Sequence, residues 1–141
     1  MSDDTRQVEA ENKALVQGAF DAWAAGTGGV FGLLADDATW TVVGNSPMSR
    51  TYTSRDEFLE EVIKPFNARL STPLVPNVHA LYADGNTVIA YFDASATAKD
   101  GRPYLNTYTW YLDMAGGRIT RAVAFFDTIE FTDFWNRISV G

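Results

Sequence analysis

The sequence predicts an α+β fold: N-terminal helices packed into a strongly curved antiparallel sheet, a cone-shaped α+β barrel formed by one domain over residues 1–141. Three observations predict it. Apolar residues early in the chain recur at helical spacing; the later chain alternates strand-like runs with Gly-bearing turns; and 141 residues suffice for one core without a second domain.

The elements follow in order. From Thr5 to Ala25, Val8, Leu15, Val16, Ala19, Phe20 and Trp23 form the apolar face of an amphipathic helix. Glu9, Glu11, Lys13, Gln17 and Asp21 take the other face, and Gly26 ends the helix. After Gly26-Thr27-Gly28-Gly29, Val30 to Leu34 reads as one or two helical turns, with Asp36 and Asp37 marking the exit. Thr39 to Val43 is the first strand, bounded by Gly44-Asn45-Ser46-Pro47. Ser54-Arg55-Asp56-Glu57 matches a capping box, in which Ser54 accepts from the Glu57 N–H and Glu57 reaches back to the Ser54 N–H. The helix it opens runs through Phe58, Val62 and Phe66 to about Leu70, and Pro65 bends or tightens its last turns. Val78 to Tyr82, Thr87 to Ala98, Tyr104 to Asp113 and Arg118 to Asp127 are successive strands joined by Gly-containing turns, an antiparallel meander. Phe131 to Ile138 is a short terminal helix or an extended tail.

Composition narrows the partners. Hydrophobic residues make up 46% and aromatics 13%, enough for a core and a lined pocket. The charge of −7 repels phosphate backbones and anionic lipid, so neither nucleic acid nor a membrane is expected as partner. Without cysteine there is no disulfide, thiol nucleophile or thiolate metal site, and one histidine argues against zinc; no metal and no cofactor are expected. The polar stretch Met1-Ser2-Asp3-Asp4-Thr5-Arg6 lacks the apolar core of a signal peptide, and a cytoplasmic setting is expected. Neither face of the runs around Tyr91 and Tyr108 is plainly charged, so both must be covered: one by the helices, the other by a second copy in a homodimer.

Three segments carry a family resemblance: Phe31 to Trp40, Ala83 to Val88, and Asp100 to Thr109 continuing to Gly117-Arg118-Ile119 and Phe125-Phe126-Asp127-Thr128. Together they resemble the superfamily of nuclear transport factor two, ketosteroid isomerase, limonene epoxide hydrolase and the SnoaL-like polyketide cyclases, with the last piece most similar to the SnoaL-like branch. The resemblance implies a cavity inside a bent sheet that holds an apolar, oxygen-bearing ring compound. It also implies a cofactor-independent isomerase or cyclase working by proton transfer, or a non-catalytic ligand-binding or dimeric structural module of the same fold, with an epoxide hydrolase as a third reading. Two departures stand out. The position of the ketosteroid isomerase base is Val42, with its protonated acid falling near Tyr108, and the strand around Asp93 lacks the arginine of the epoxide hydrolase site.

Several residues are candidates for chemistry. Asp127 ends an apolar strand and is either the acid/base that the SnoaL-like resemblance implies or the N-cap of the terminal segment. Asp93 interrupts another strand, as a desolvated proton donor or as an acid facing water. Asn106, Tyr108 and Trp110 share one strand face; Asn106 and Tyr108 are oxyanion donors on a cavity wall, or all three form a polar seam between subunits. His79 is the one group whose ordinary pKa lies near neutrality, catalytic or structural. Trp23, Trp40, Phe58, Val62, Phe66 and Phe125 are core or cavity lining, and Tyr52 is at the cavity mouth or in solvent.

Overall fold

Val16 and Phe20 lie one helical turn apart and are fully buried, which sets the face of α1 (Asp3–Ala25) that packs on the sheet. The computed structural model describes residues 3–140; Met1 and Ser2 of the polar N-terminal stretch lie outside them. Gly26 closes α1 at a φ of 75°, a conformation that favours glycine. A 3-10 turn, Val30–Leu33, then leads directly into β1 (Leu34–Val42). The strand therefore starts before Thr39, and Asp36 and Asp37 lie within it. Its pairing slips between Leu34 and Thr39, and this irregularity leaves both acids exposed.

β2 (Thr51–Tyr52) pairs antiparallel with the end of β1. Ser54 Oγ accepts from Glu57 N at 3.1 Å and opens α2 (Arg55–Phe58). The reciprocal bond is not made: the Glu57 carboxylate meets Thr53 N and Arg50 instead. A π turn, Leu59–Ile63, joins α2 to α3 (Lys64–Ala68). Pro65 has no N–H to donate, and the wider turn just before it takes up the missing bond.

β3 (Val75–Asp84), β4 (Thr87–Thr97), β5 (Pro103–Ala115) and β6 (Arg118–Phe126) form the predicted meander. The sheet runs β2-β1-β6-β5-β4-β3 and is curled but unclosed. One pairing departs from the antiparallel expectation: β1 lies parallel to β6, Trp40 opposite Ala122 and Val42 opposite Ala124. Strand alternation separates the faces. Val88, Ala90 and Phe92 of β4 and Tyr104, Asn106, Tyr108 and Trp110 of β5 point inward and are buried. Tyr91, Leu105, Tyr111 and Phe125 point outward and stay largely exposed.

The chain ends in a helix rather than a tail, α4 (Thr128–Arg137). Arg69 binds it to α3: its guanidinium stacks over Trp135 at 3.8 Å while Nε donates to the Trp135 carbonyl. Among the described residues no helix is long and apolar enough to cross a membrane.

Candidate functional site

Between the inner sheet face and the helices lies a cavity of about 740 Å³. Trp40 and Val42 of β1, Tyr108 and Trp110 of β5, and Ala124 and Phe126 of β6 form its sheet wall. Phe58, Val62, Ile63 and Phe66 cover it, and the exposed segments Gly26–Gly29 and Ser71–Leu74 make its rim. Trp23 Nε1 donates to the Leu74 carbonyl at 2.8 Å, tying the end of α1 to that rim. The aromatic rings order one another. Trp40 stacks on Phe58 at 4.4 Å, and Trp110 stands edge-on to Trp40 at 4.9 Å. Each such pair contributes about 0.5–1.5 kcal/mol beyond its buried area.

The lining contains no Asp, Glu, His, Lys or Arg; its one ionisable group is the Tyr108 phenol. Tyr108 Oη lies 2.7 Å from Tyr104 Oη, and Asn106 Nδ2 donates to Tyr104 Oη at 2.9 Å. Asn106 is otherwise fully engaged. Its Nδ2 also donates to the Asp127 carbonyl, and its Oδ1 accepts from Asp127 N and Thr107 N. Burial pushes the Tyr104 phenol up to about 12 and raises Tyr108 well above the usual phenol range. Both stay neutral across the physiological range, so Tyr108 is a hydrogen-bond donor and not a base.

The structure brings Trp23, Trp40, Phe58, Val62, Phe66, Tyr108 and Trp110 together around the cavity. The remaining candidates lie elsewhere. Asn106 faces inward behind Tyr104 and has no free donor for a ligand. Tyr52 is neither at the mouth nor in solvent: it is buried in β2, with its hydroxyl donating to the Met48 carbonyl. Phe125 points outward against Tyr111, because Tyr108 pairs with Phe126 and alternation gives the cavity to Phe126.

Asp93 and His79 meet on the outer face, His79 Nε2 to Asp93 Oδ2 at 3.0 Å, where a bulge between Val78 and Ala80 turns the imidazole outward. Hydrogen bonds from Thr107 and then from His79 hold the Asp93 carboxyl below the usual carboxylate range, opposite to the rise that desolvation alone would produce. Asp127 is exposed and caps α4, Oδ1 accepting from Ile129 N at 3.0 Å and Glu130 N at 3.2 Å. Tyr104 is the member of the network that sequence reading passed over. Its parity with Asn106 and Tyr108 along one strand was the available signal. Among the described residues no cluster of three acidic, histidine or cysteine side chains is placed to hold a metal ion.

Residues 16–122 match the SnoaL-like domain family. The chain belongs to that family. Its SnoaL-like fold is shared with Bal32a, from a soil-derived mobile gene cassette, at a TM-score of 0.72 and 19% identity over 90% of this chain and 98% of that one. An NTF2-like protein from Burkholderia thailandensis gives a TM-score of 0.72 at 21% identity, covering 87% of this chain and 95% of that one. TerC, co-crystallised with polyporic acid, gives 0.71 at 15% identity over 89% and 98%. At these identities the likeness is one of fold. No curated protein matches this SnoaL-like sequence at a significant level.

Proposed function

We propose that this SnoaL-like chain binds an uncharged, oxygen-bearing ring compound in the aromatic cavity, with Tyr108 donating a hydrogen bond to the compound's oxygen. One observation carries the reading: the lining is mostly aromatic and aliphatic, with a neutral phenol on its inner wall, a few uncharged polar side chains at its rim and no charged side chain. A charged ligand would be desolvated there without a partner, at a cost of several kcal/mol. Flat ring systems match the stacked and edge-on faces of Trp40, Phe58 and Trp110. Proton abstraction by Asp127 is not supported, since its carboxylate caps α4 outside the lining. Where a reaction follows binding, the cavity supplies orientation, exclusion of water and a hydrogen bond to a carbonyl oxygen gaining charge. Titration with planar, uncharged ketones and quinones tests this through quenching of the cavity tryptophans. Saturable quenching whose affinity drops in V62W, which narrows the cavity, is the expected result; a W135F background removes the signal of the tryptophan outside it. An affinity that V62W leaves unchanged would place the ligand elsewhere and sink the proposal.

We also propose that the outer sheet face pairs with a second copy of the chain. Tyr82, Tyr91, Leu105, Tyr111 and Phe125 are exposed on it, which is unusual for a face left in water. Its acid Asp113 is paired with Arg121, and Asp93 accepts hydrogen bonds from Thr107 and His79. Sedimentation should show a dimer that L105E converts to a monomer. A wild-type monomer at every accessible concentration would end this reading.

A further inference from the structure

The polar side chains of the cavity's inner wall, the Tyr108 phenol and the Trp40 and Trp110 indoles, offer protons, and the side-chain acceptors of the lining, Asn67, Ser71 and Thr72, lie at its rim. Trp40 and Trp110 both line the cavity and are 3% and 5% exposed, yet neither indole N–H meets an acceptor among the described residues. An occupant that accepts from them adds hydrogen bonds of about 0.5–1.5 kcal/mol net each.

The third donor follows from counting protons. Asn106 is locked in one orientation by four hydrogen bonds, and a flipped amide would set its oxygen against the Asp127 carbonyl. Its Nδ2 therefore donates to Tyr104 Oη, whose own proton must find another acceptor. The acceptor in reach is Tyr108 Oη, at 2.7 Å. The reverse direction would leave the proton of Tyr104, which is fully buried, with nowhere to go. Tyr108 thus receives from Tyr104 and turns its own proton to the cavity. Ser71 and Thr72 at the rim are committed to the Thr97 backbone, and Asn67 is exposed at the edge.

From this polarity we propose that the cavity selects ring compounds presenting acceptor-only oxygens, a ketone, quinone or lactone carbonyl, over the alcohol of the same skeleton, with Asn106 and Tyr104 as positioning residues that fix the direction of the Tyr108 proton. The proposal rests on the binding reading above and adds the chemical class of the anchoring group. An alcohol can accept from Tyr108, but its own proton then lies in a cavity without an acceptor. A ketone has no such proton.

The test uses fluorenone, fluorenol and fluorene, which share one planar skeleton. Fluorenone should bind about tenfold more tightly than either of the others, the value of one net hydrogen bond. Its carbonyl stretch should move to lower frequency on binding. In Y108F that shift should shrink and the ratio of fluorenone to fluorene affinity fall toward one. In Y104F, Tyr108 can accept as well as donate, so fluorenol should gain affinity with little change for fluorene, which a merely structural defect would not produce. Equal binding of fluorenone and fluorenol by the wild type, with fluorene also bound, overturns the polarity assignment and leaves the cavity reading standing. If none of the three binds, both fail.

Discussion

Replacing Asp127 separates an end-of-helix role from a chemical one. Its Oδ1 accepts from the first free N–H groups of α4, those of Ile129 and Glu130, at 3.0 and 3.2 Å. In D127A both donors lose that acceptor, but the site is exposed and water replaces part of it, so the cost should be about 1 kcal/mol. For a chain of this size that lowers Tm by about 3 °C. D127N keeps an acceptor oxygen and loses only the interaction of a charge with the helix end, so it should stay within about 0.5 kcal/mol of wild type. Melting curves followed by circular dichroism give the stabilities, and tryptophan quenching on the same samples gives the affinity for a planar ketone. Both variants should bind as wild type does. If D127N melted normally but lost binding or turnover, the carboxylate would belong to the chemistry and the reasoning from its cap geometry would be refuted.

Three further outcomes follow from the packing. Gly44 has a φ of 92°, and an added Cβ would lie 2.8 Å from Thr128 Cγ2, so G44A should cost about 2–3 kcal/mol in denaturant unfolding. T128S should recover the steric part of that loss, and a G44A chain as stable as wild type would sink the account. Arg137 holds the Asp100 carboxyl below the usual carboxylate range. A folded-state pKa below the unfolded value of about 3.9 contributes stability that is present above that pH and is lost as pH falls through the folded value, so D100N should flatten the acid limb of the stability profile. An unchanged limb would assign the acid loss to other carboxylates. V42D would place a carboxylate among uncharged cavity residues, where desolvation raises its pKa. That raised value makes the variant lose more stability at neutral pH than in mild acid; a pH-independent loss would mean that the new side chain had escaped to water.

Much of the fold was legible because its signals are local. The α1 face at Val16 and Phe20, the Ser54 cap, and the turns at Gly85, Gly101 and Gly116 each follow from a few neighbouring residues. β2 was not legible: its two residues are too few to show alternation, and Tyr52 is buried by the fold around it. The early start of β1 was hidden because Asp36 and Asp37 look like turn residues, and only the irregular pairing with β6 makes them strand residues facing water. The candidate site divided in the same way. Ring residues of α1, α2 and β5 could be placed by periodicity, whereas Phe125 and Phe126 differ by one position and only the pairing of Phe126 with Tyr108 decides between them. Asp93 and His79 lie outside because the faces of β4 are assigned by its partners, and because a bulge in β3 that no turn residue announces re-aims His79.

The parallel seam between β1 and β6 bears on how the molecule assembles. Hairpins β3–β4, β4–β5 and β5–β6 can each close between near neighbours, but Trp40 and Val42 must wait for Ala122 and Ala124, which are supplied from the far end of the chain. Closing that long loop costs entropy that no local turn offsets. The meander is therefore expected to form first and the wall carrying Trp40 later, an order that amide-exchange labelling during refolding would read. Until that seam forms, the aromatic interior stands open, and a ring compound present during refolding would meet its binding surface as the last strand arrives.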